Sequence, residues 1–305
     1  MSNFLSFVEI RTKIASQLPF LFGTAYAAAH WGKLNWISTL LFFLSVLLFD
    51  MTTTAVNNAI DTHLHHGPTR AHYSPAVSLL LILMMLGAAS GCGIVLALRT
   101  GPVVLLTGLV CFGAGLLYTA GPLPLSRLPV GEVFSGFFMG LVLPFLAVYI
   151  NAPADALVTL SYTGGVLGIG LAVPALLRLG IACVPAMMGI AGIMLANNIC
   201  DLPDDRAVGR FTLPHFLGLR TARVLFAGLY VVSFVSIPAM AVSGALPIWV
   251  LIVLAVAVPV GRNVRAFLRN PSKEATFLLS VANLVWMMVP LIAVAALAAA
   301  TGGLR

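Results

Sequence analysis

Apolar residues run through this chain in long unbroken stretches, and polar residues collect in the gaps between them. The stretches cover roughly 14–31, 36–60, 75–98, 101–119, 131–150, 181–200, 222–243, 245–261 and 276–300. Each has the roughly 17 to 25 residues that a helix needs to cross about 30 Å of hydrocarbon. The pattern therefore predicts an all-α polytopic membrane bundle of nine transmembrane helices, formed by one integral-membrane domain over 1–305. A tenth apolar stretch, 157–177, contains Pro174 and several glycines. Counting it as a span would send Asp201 to the opposite side of the membrane from Asp61. It is read instead as re-entrant, interfacial or a packed extension of its neighbours.

Two of the polar gaps repeat one theme. In DMTTTAVNNAIDTHLHH (50–66), Asp50, Asn57, Asn58 and Asp61 fall at i, i+7, i+8 and i+11, one face of a helix at 3.6 residues per turn. In NNICDLPDDRAVGR (197–210), Asn197, Asp201 and Asp205 fall at i, i+4 and i+8. Two walls of carboxylate and amide oxygens suit hard metal ions. Asp61, Asp201, Asp204 and Asp205 are four of only nine acidic residues, and ionisable groups among apolar spans are functional candidates by default.

The other polar segments carry weaker signals. His63, His65, His66 and His72 read as a solvated loop, since His65 and His66 are adjacent and cannot face one way on a helix. The segment 118–132, YTAGPLPLSRLPVGE, is too rich in proline and glycine for a regular helix and reads as a stiff loop holding Tyr118 and Arg127. Gly136 and Gly140 are expected to be sites of close helix packing. The basic stretch 262–273 is expected to sit at the anionic inner leaflet in a structural role.

Composition narrows the class further. With 60% hydrophobic and 8% charged residues, the chain lies far from a soluble globule, in which about a quarter of residues are charged. The net charge of +7 does not signal nucleic-acid binding, because the basic residues are dispersed between spans. Their distribution reports topology. With a cytoplasmic N-terminus and nine spans, Arg11, Lys13, Arg70, Arg127, Arg206, Arg210, Arg220, Arg223, Arg262, Arg265, Arg269 and Lys273 face inward, twelve of the sixteen basic residues. Both acidic motifs then lie on the cytoplasmic side. No cleavable signal is evident at the N-terminus. Four cysteines stand singly in apolar runs and suggest buried thiols. There is no phosphate-cradling glycine loop.

Together these residues resemble the UbiA-type intramembrane prenyltransferases. Asn57, Asn58 and Asp61 overlay that family's first Asp-rich motif, and Asp201 to Asp205 its second. NNICDLPDDRAVGRFTLPHFLG is similar to the pattern of the 1,4-dihydroxy-2-naphthoate polyprenyltransferases, as is YTAGPLPL followed by GE. Asn58 stands in the place of the second-position aspartate and His65 in that of the last, so one carboxylate of three remains in the first motif. The resemblance implies a helical bundle with a cytoplasm-facing cavity, located in a bacterial cytoplasmic membrane. It implies Mg2+-assisted transfer of a polyprenyl group from an isoprenyl diphosphate to an aromatic acceptor in menaquinone biosynthesis. Asp61, Asp201 and Asp205 become the expected metal ligands, with Asn57 and Asn197 as neutral oxygen donors and Asn58 among the substrate-binding residues. Lys13, Arg127, Arg206 and Arg210 are expected to contact diphosphate, with Tyr118 beside them. Asp50 is expected to bond the acceptor hydroxyl or take its proton. The rival readings are another aromatic acceptor within the family, a transporter with intramembrane ion ligands, and a non-catalytic scaffold.

Overall fold

A computed structural model describes residues 2–64, 73–119, 128–207, 210–302 and 304, without the side chains of Ser2, Arg11, residues 61–64, Thr119, Asp204, Arg206 and Ala207. The chain forms two compact units, 1–17 with 35–125, and 18–34 with 126–305.

The first unit contains α1 (Ser2–Phe7), a 3₁₀ turn at Ile10–Lys13, the first turn of α2 (Ile14–Trp31), α3 (Trp36–Leu64), α4 (Pro75–Thr100) and α5 (Pro102–Thr119). Local chemistry sets these boundaries. The Ser74 hydroxyl accepts the Val77 N–H at 3.4 Å, and Pro75 occupies the first turn of α4, where its missing N–H costs nothing. Gly101 ends α4 at φ 99°, and Pro102 opens α5. The Ser45 hydroxyl donates to the Ala89 carbonyl at 2.9 Å, and Phe49 stacks on Phe112 at 4.1 Å. A small core of Phe7, Val8, Met51, Ala55 and Met85 joins the N-terminal residues to α3 and α4. The outer face of α4 leaves Leu79, Leu80, Leu83, Met84 and Leu98 exposed, an aliphatic surface suited to lipid.

The second unit continues α2 and adds a helical span, Gly131–Tyr149, in three pieces: α6 (Gly131–Phe137), a π turn (Phe138–Val142) and α7 (Leu143–Tyr149). The π turn has a local cause, because Pro144 lacks the N–H that would bond the Gly140 carbonyl. A hairpin of β1 (Val158–Thr163) and β2 (Val166–Leu171) follows, then α8 (Val173–Cys200), α9 (Leu202–Ala207), α10 (Leu213–Ser243), a 3₁₀ segment Ile248–Val256 running into α11 (Ala257–Arg269), and α12 (Phe277–Ala300). Helix α8 packs against α6, α10 and α12. A Cβ on Gly136 would lie 2.8 Å from the Met187 carbonyl oxygen, and one on Gly140 would meet the Met187 backbone at 2.5 Å. The expected close packing is therefore between this span and α8. Gly140→Val should lower stability by about 1–3 kcal/mol, the usual cost of overpacking, and a thermal melt in detergent measures it.

The stretch 157–177 forms no helical span of its own, as expected, but a hairpin followed by the first turns of α8. Strands β1 and β2 pair antiparallel, with Thr163 opposite Val166, around Gly164 and Gly165 at φ 59° and 82°. Two positive-φ glycines between β-branched and aromatic residues are the signal for a two-residue hairpin. A test for helical spans alone passes over it. Pro174 then lies in the first turn of α8, which begins earlier than the predicted span at 181.

Among the described residues, seven helices are long and apolar enough to cross a membrane: Trp36–Ile60, Pro75–Thr100, Gly131–Tyr149, Val173–Cys200, Leu213–Ser243, Ile248–Arg269 and Phe277–Ala300. The other two predicted spans are also helical. Pro102–Tyr118 is apolar but shorter, and Ile14–Trp31 carries Gln17, Thr24 and His30. The chain is a multi-pass helical membrane protein.

Candidate functional site

In the first unit, one end of the polar face on α3 is built around an ion pair between a buried lysine and a half-buried aspartate. Lys13, only 3% exposed, places its ammonium 2.8 Å from Asp50 Oδ1, 3.1 Å from the Asp50 carbonyl oxygen and 2.5 Å from Thr54 Oγ1. The Ser16 hydroxyl donates to Asp50 Oδ2 at 2.5 Å. Sequence reasoning gave Lys13 to the diphosphate and Asp50 to the acceptor, whereas here each is the other's counter-ion. One turn further along, Asn58 donates its amide to the Phe7 carbonyl at 2.8 Å, which ties α1 to α3 and leaves Oδ1 as the atom Asn58 can offer a ligand. Asn57 is exposed. Asp61 lies within α3, but its side chain is outside the described residues, as are His65, His66 and Arg70.

In the second unit, the C-terminal end of α8 carries the other motif. A core of Leu195, Ala196, Ile199, Ala222, Phe226, Tyr230, Val260, Val264, Phe267 and Met287 fixes that end of the helix, with Phe277 of α12 packed on it. The helical ladder runs past the last turn, since the Asp201 N–H donates to the Asn197 carbonyl at 2.9 Å and the Asp205 N–H to the Asp201 carbonyl at 2.8 Å. The predicted i, i+4, i+8 spacing thus becomes real adjacency. The Asn197 amide donates to Asp201 Oδ2 at 3.0 Å. Asp205, 4% exposed, accepts from Thr212 Oγ1 at 3.2 Å and has Arg210 Nη1 at 3.6 Å. Burial holds the Asp205 carboxyl above its ordinary pKa, Arg210 and Thr212 pull it back, and the nearby Asp201 charge raises it again.

Sequence reasoning overlooked the contacts of three residues. Lys273, on the link between α11 and α12, places its ammonium 2.5 Å from Asn197 Oδ1 and 2.9 and 2.6 Å from the Asp201 carboxylate oxygens. In sequence it belongs to the basic stretch 262–273, and nothing local separates it from its neighbours. Glu132 and Asn198 form a buried pair between α6 and α8, with Asn198 Nδ2 donating to Glu132 Oε1 at 2.8 Å. Of the remaining candidates, Tyr118 is half-buried near the end of α5, while Arg127 and the Arg206 side chain lie outside the described residues.

This donor set can hold a hard cation. The Asn197 and Asp201 oxygens already surround one positive charge, the Lys273 ammonium. Among the described residues no three His, Cys, Asp or Glu side chains gather into a metal cage.

Comparison with known proteins identifies the family. The chain is 28% identical over 270 residues to a 1,4-dihydroxy-2-naphthoate octaprenyltransferase of Bacillus subtilis (strain 168), covering 85% of this chain and 80% of that protein. Its fold is similar to the apo structure of a UbiA homolog from Aeropyrum pernix K1, with a TM-score of 0.69 at 19% identity over 93% of this chain and 98% of that one. It is also similar to a UbiA homolog from Archaeoglobus fulgidus bound to GPP and Mg2+, with a TM-score of 0.64 at 13% identity over 98% of this chain and 100% of that one. Residues 17–287 match the UbiA prenyltransferase family. Nearly the whole chain is covered by that match, and it belongs to the UbiA family of membrane prenyltransferases.

Proposed function

We propose that this enzyme transfers a polyprenyl group from an isoprenyl diphosphate to 1,4-dihydroxy-2-naphthoate, a step of menaquinone biosynthesis. The observation that carries this reading is the triad of Asn197, Asp201 and Asp205 where α8 meets α9, in a chain 28% identical over 85% of its length to a relative of that name. Asp61, Asp201 and Asp205 would hold Mg2+, with Asn57 and Asn197 as neutral oxygen donors and Asn58 among the substrate-binding residues. The chemistry a divalent ion supplies there is neutralisation of the charge that builds on diphosphate as the allylic C–O bond breaks. Arg127, Arg206 and Arg210 would bind the diphosphate oxygens, where guanidinium forks match phosphate geometry. Tyr118 would line the same substrate. The basic asymmetry supports nine spans, a cytoplasmic N-terminus and both motifs on the cytoplasmic side of a bacterial membrane.

The test is a choice of acceptors. Purified protein in lipid nanodiscs, given Mg2+ and a polyprenyl diphosphate, is expected to prenylate 1,4-dihydroxy-2-naphthoate in preference to 4-hydroxybenzoate or a glycerol phosphate lipid, as read by mass spectrometry. Product from one of the other acceptors alone would move the enzyme elsewhere within its family.

A further inference from the structure

Resting on the reading that Asn197 and Asp201 help to hold a divalent ion, we propose that Lys273 is a displaceable counter-ion that occupies that ion's position until it arrives. The ammonium lies within 2.9 Å of three oxygens, Asn197 Oδ1 and both Asp201 carboxylate oxygens. These are the atoms a hard cation would need, and an ammonium and a metal cannot share them at such distances. One must leave for the other to bind.

Lys273 is built to be the one that leaves. The contrast is with Lys13, whose side chain is 4% exposed against 45% for Lys273. An ammonium already in partial contact with water loses little solvation on release, whereas a buried one could not be released without leaving a bare carboxylate behind. The link that carries Lys273 does not depend on the ion pair for its shape. Ser272 N–H donates to Thr276 Oγ1 at 3.0 Å, Thr276 Oγ1 donates to the Asn270 carbonyl at 2.7 Å, and the Phe277 N–H donates to the Ser272 carbonyl at 2.9 Å. Phe277 is in turn packed on the α8 core. The lysine stem is therefore the moving part, and the Phe277 ring, 5.4 Å from Nζ, offers the cation a second contact. The consequence is competition: a divalent ion binds the free enzyme weakly because it must displace a resident positive charge, and binding strengthens once the diphosphate contributes its own negative charge.

The experiment is Mn2+ binding, followed by electron paramagnetic resonance, to full-length protein in detergent without substrate. Lys273→Met removes the charge and keeps most of the stem, and it should tighten Mn2+ binding by about tenfold, as expected when a like charge a few ångströms away is removed. Lys273→Arg keeps the charge and should bind Mn2+ within about threefold of wild type. A gain in affinity cannot arise from misfolding, so the result separates this role from a structural one. Lys273→Met binding Mn2+ no more tightly than wild type, while Asp201→Asn loses it, overturns the counter-ion and leaves the metal site standing. Asp201→Asn binding Mn2+ as wild type does overturns both.

Discussion

Asp201→Asn and Asp205→Asn are each expected to lower prenyl transfer by at least about a hundredfold, the scale of losing one preorganised contact to developing charge, while the protein still folds and inserts. The asparagines preserve shape. Asp201 caps α8 through its backbone N–H, which donates to the Asn197 carbonyl whatever the side chain. Asp205 keeps its backbone bonds to Asp201 and Arg210. What each variant loses is a full negative charge and one of two equivalent oxygens, and neither loss can be made good by an amide. Turnover of purified variants, set beside their melting temperatures, separates the two effects. Either variant retaining more than about a tenth of wild-type turnover would contradict its place among the metal ligands.

The second large effect lies in the first unit. Lys13→Met should cost about 1–3 kcal/mol of stability, because among the described residues it leaves the half-buried Asp50 carboxylate with Ser16 and no counter-charge. The double variant Lys13→Met with Asp50→Asn should regain most of that loss, since removing both charges of a largely desolvated pair is less costly than removing one. Activity is expected to return with stability, because the Lys13 ammonium already has three oxygens around it. A double variant that melts like wild type but no longer turns over would return Lys13 to the diphosphate contact its sequence position suggested.

The two motifs show how far periodicity carries a reading. Asn197, Asp201 and Asp205 are legible because an α-helical ladder converts i+4 spacing directly into contact, and that ladder survives the break between α8 and α9. Gly136 and Gly140 are legible for the same reason, since small residues four apart mark the face where two helices approach. Lys13 with Asp50 and Lys273 with Asp201 are not legible. Their partners are 37 and 72 residues apart, and charge alone cannot tell a lysine aimed at lipid phosphates from one aimed at a carboxylate. The strands of the hairpin 158–171 are hard to read for a different reason. Its residues are apolar enough to pass as a short span, and only the Gly164–Gly165 pair between β-forming residues distinguishes it.

A divalent ion at these oxygens is expected to be needed for departure of the diphosphate. Release of inorganic diphosphate from a polyprenyl diphosphate, measured with purified wild-type protein and 1,4-dihydroxy-2-naphthoate before and after chelation, tests it directly. Release should stop with chelator and return when Mg2+ is restored in excess. Chelated protein that keeps its rate would contradict the claim.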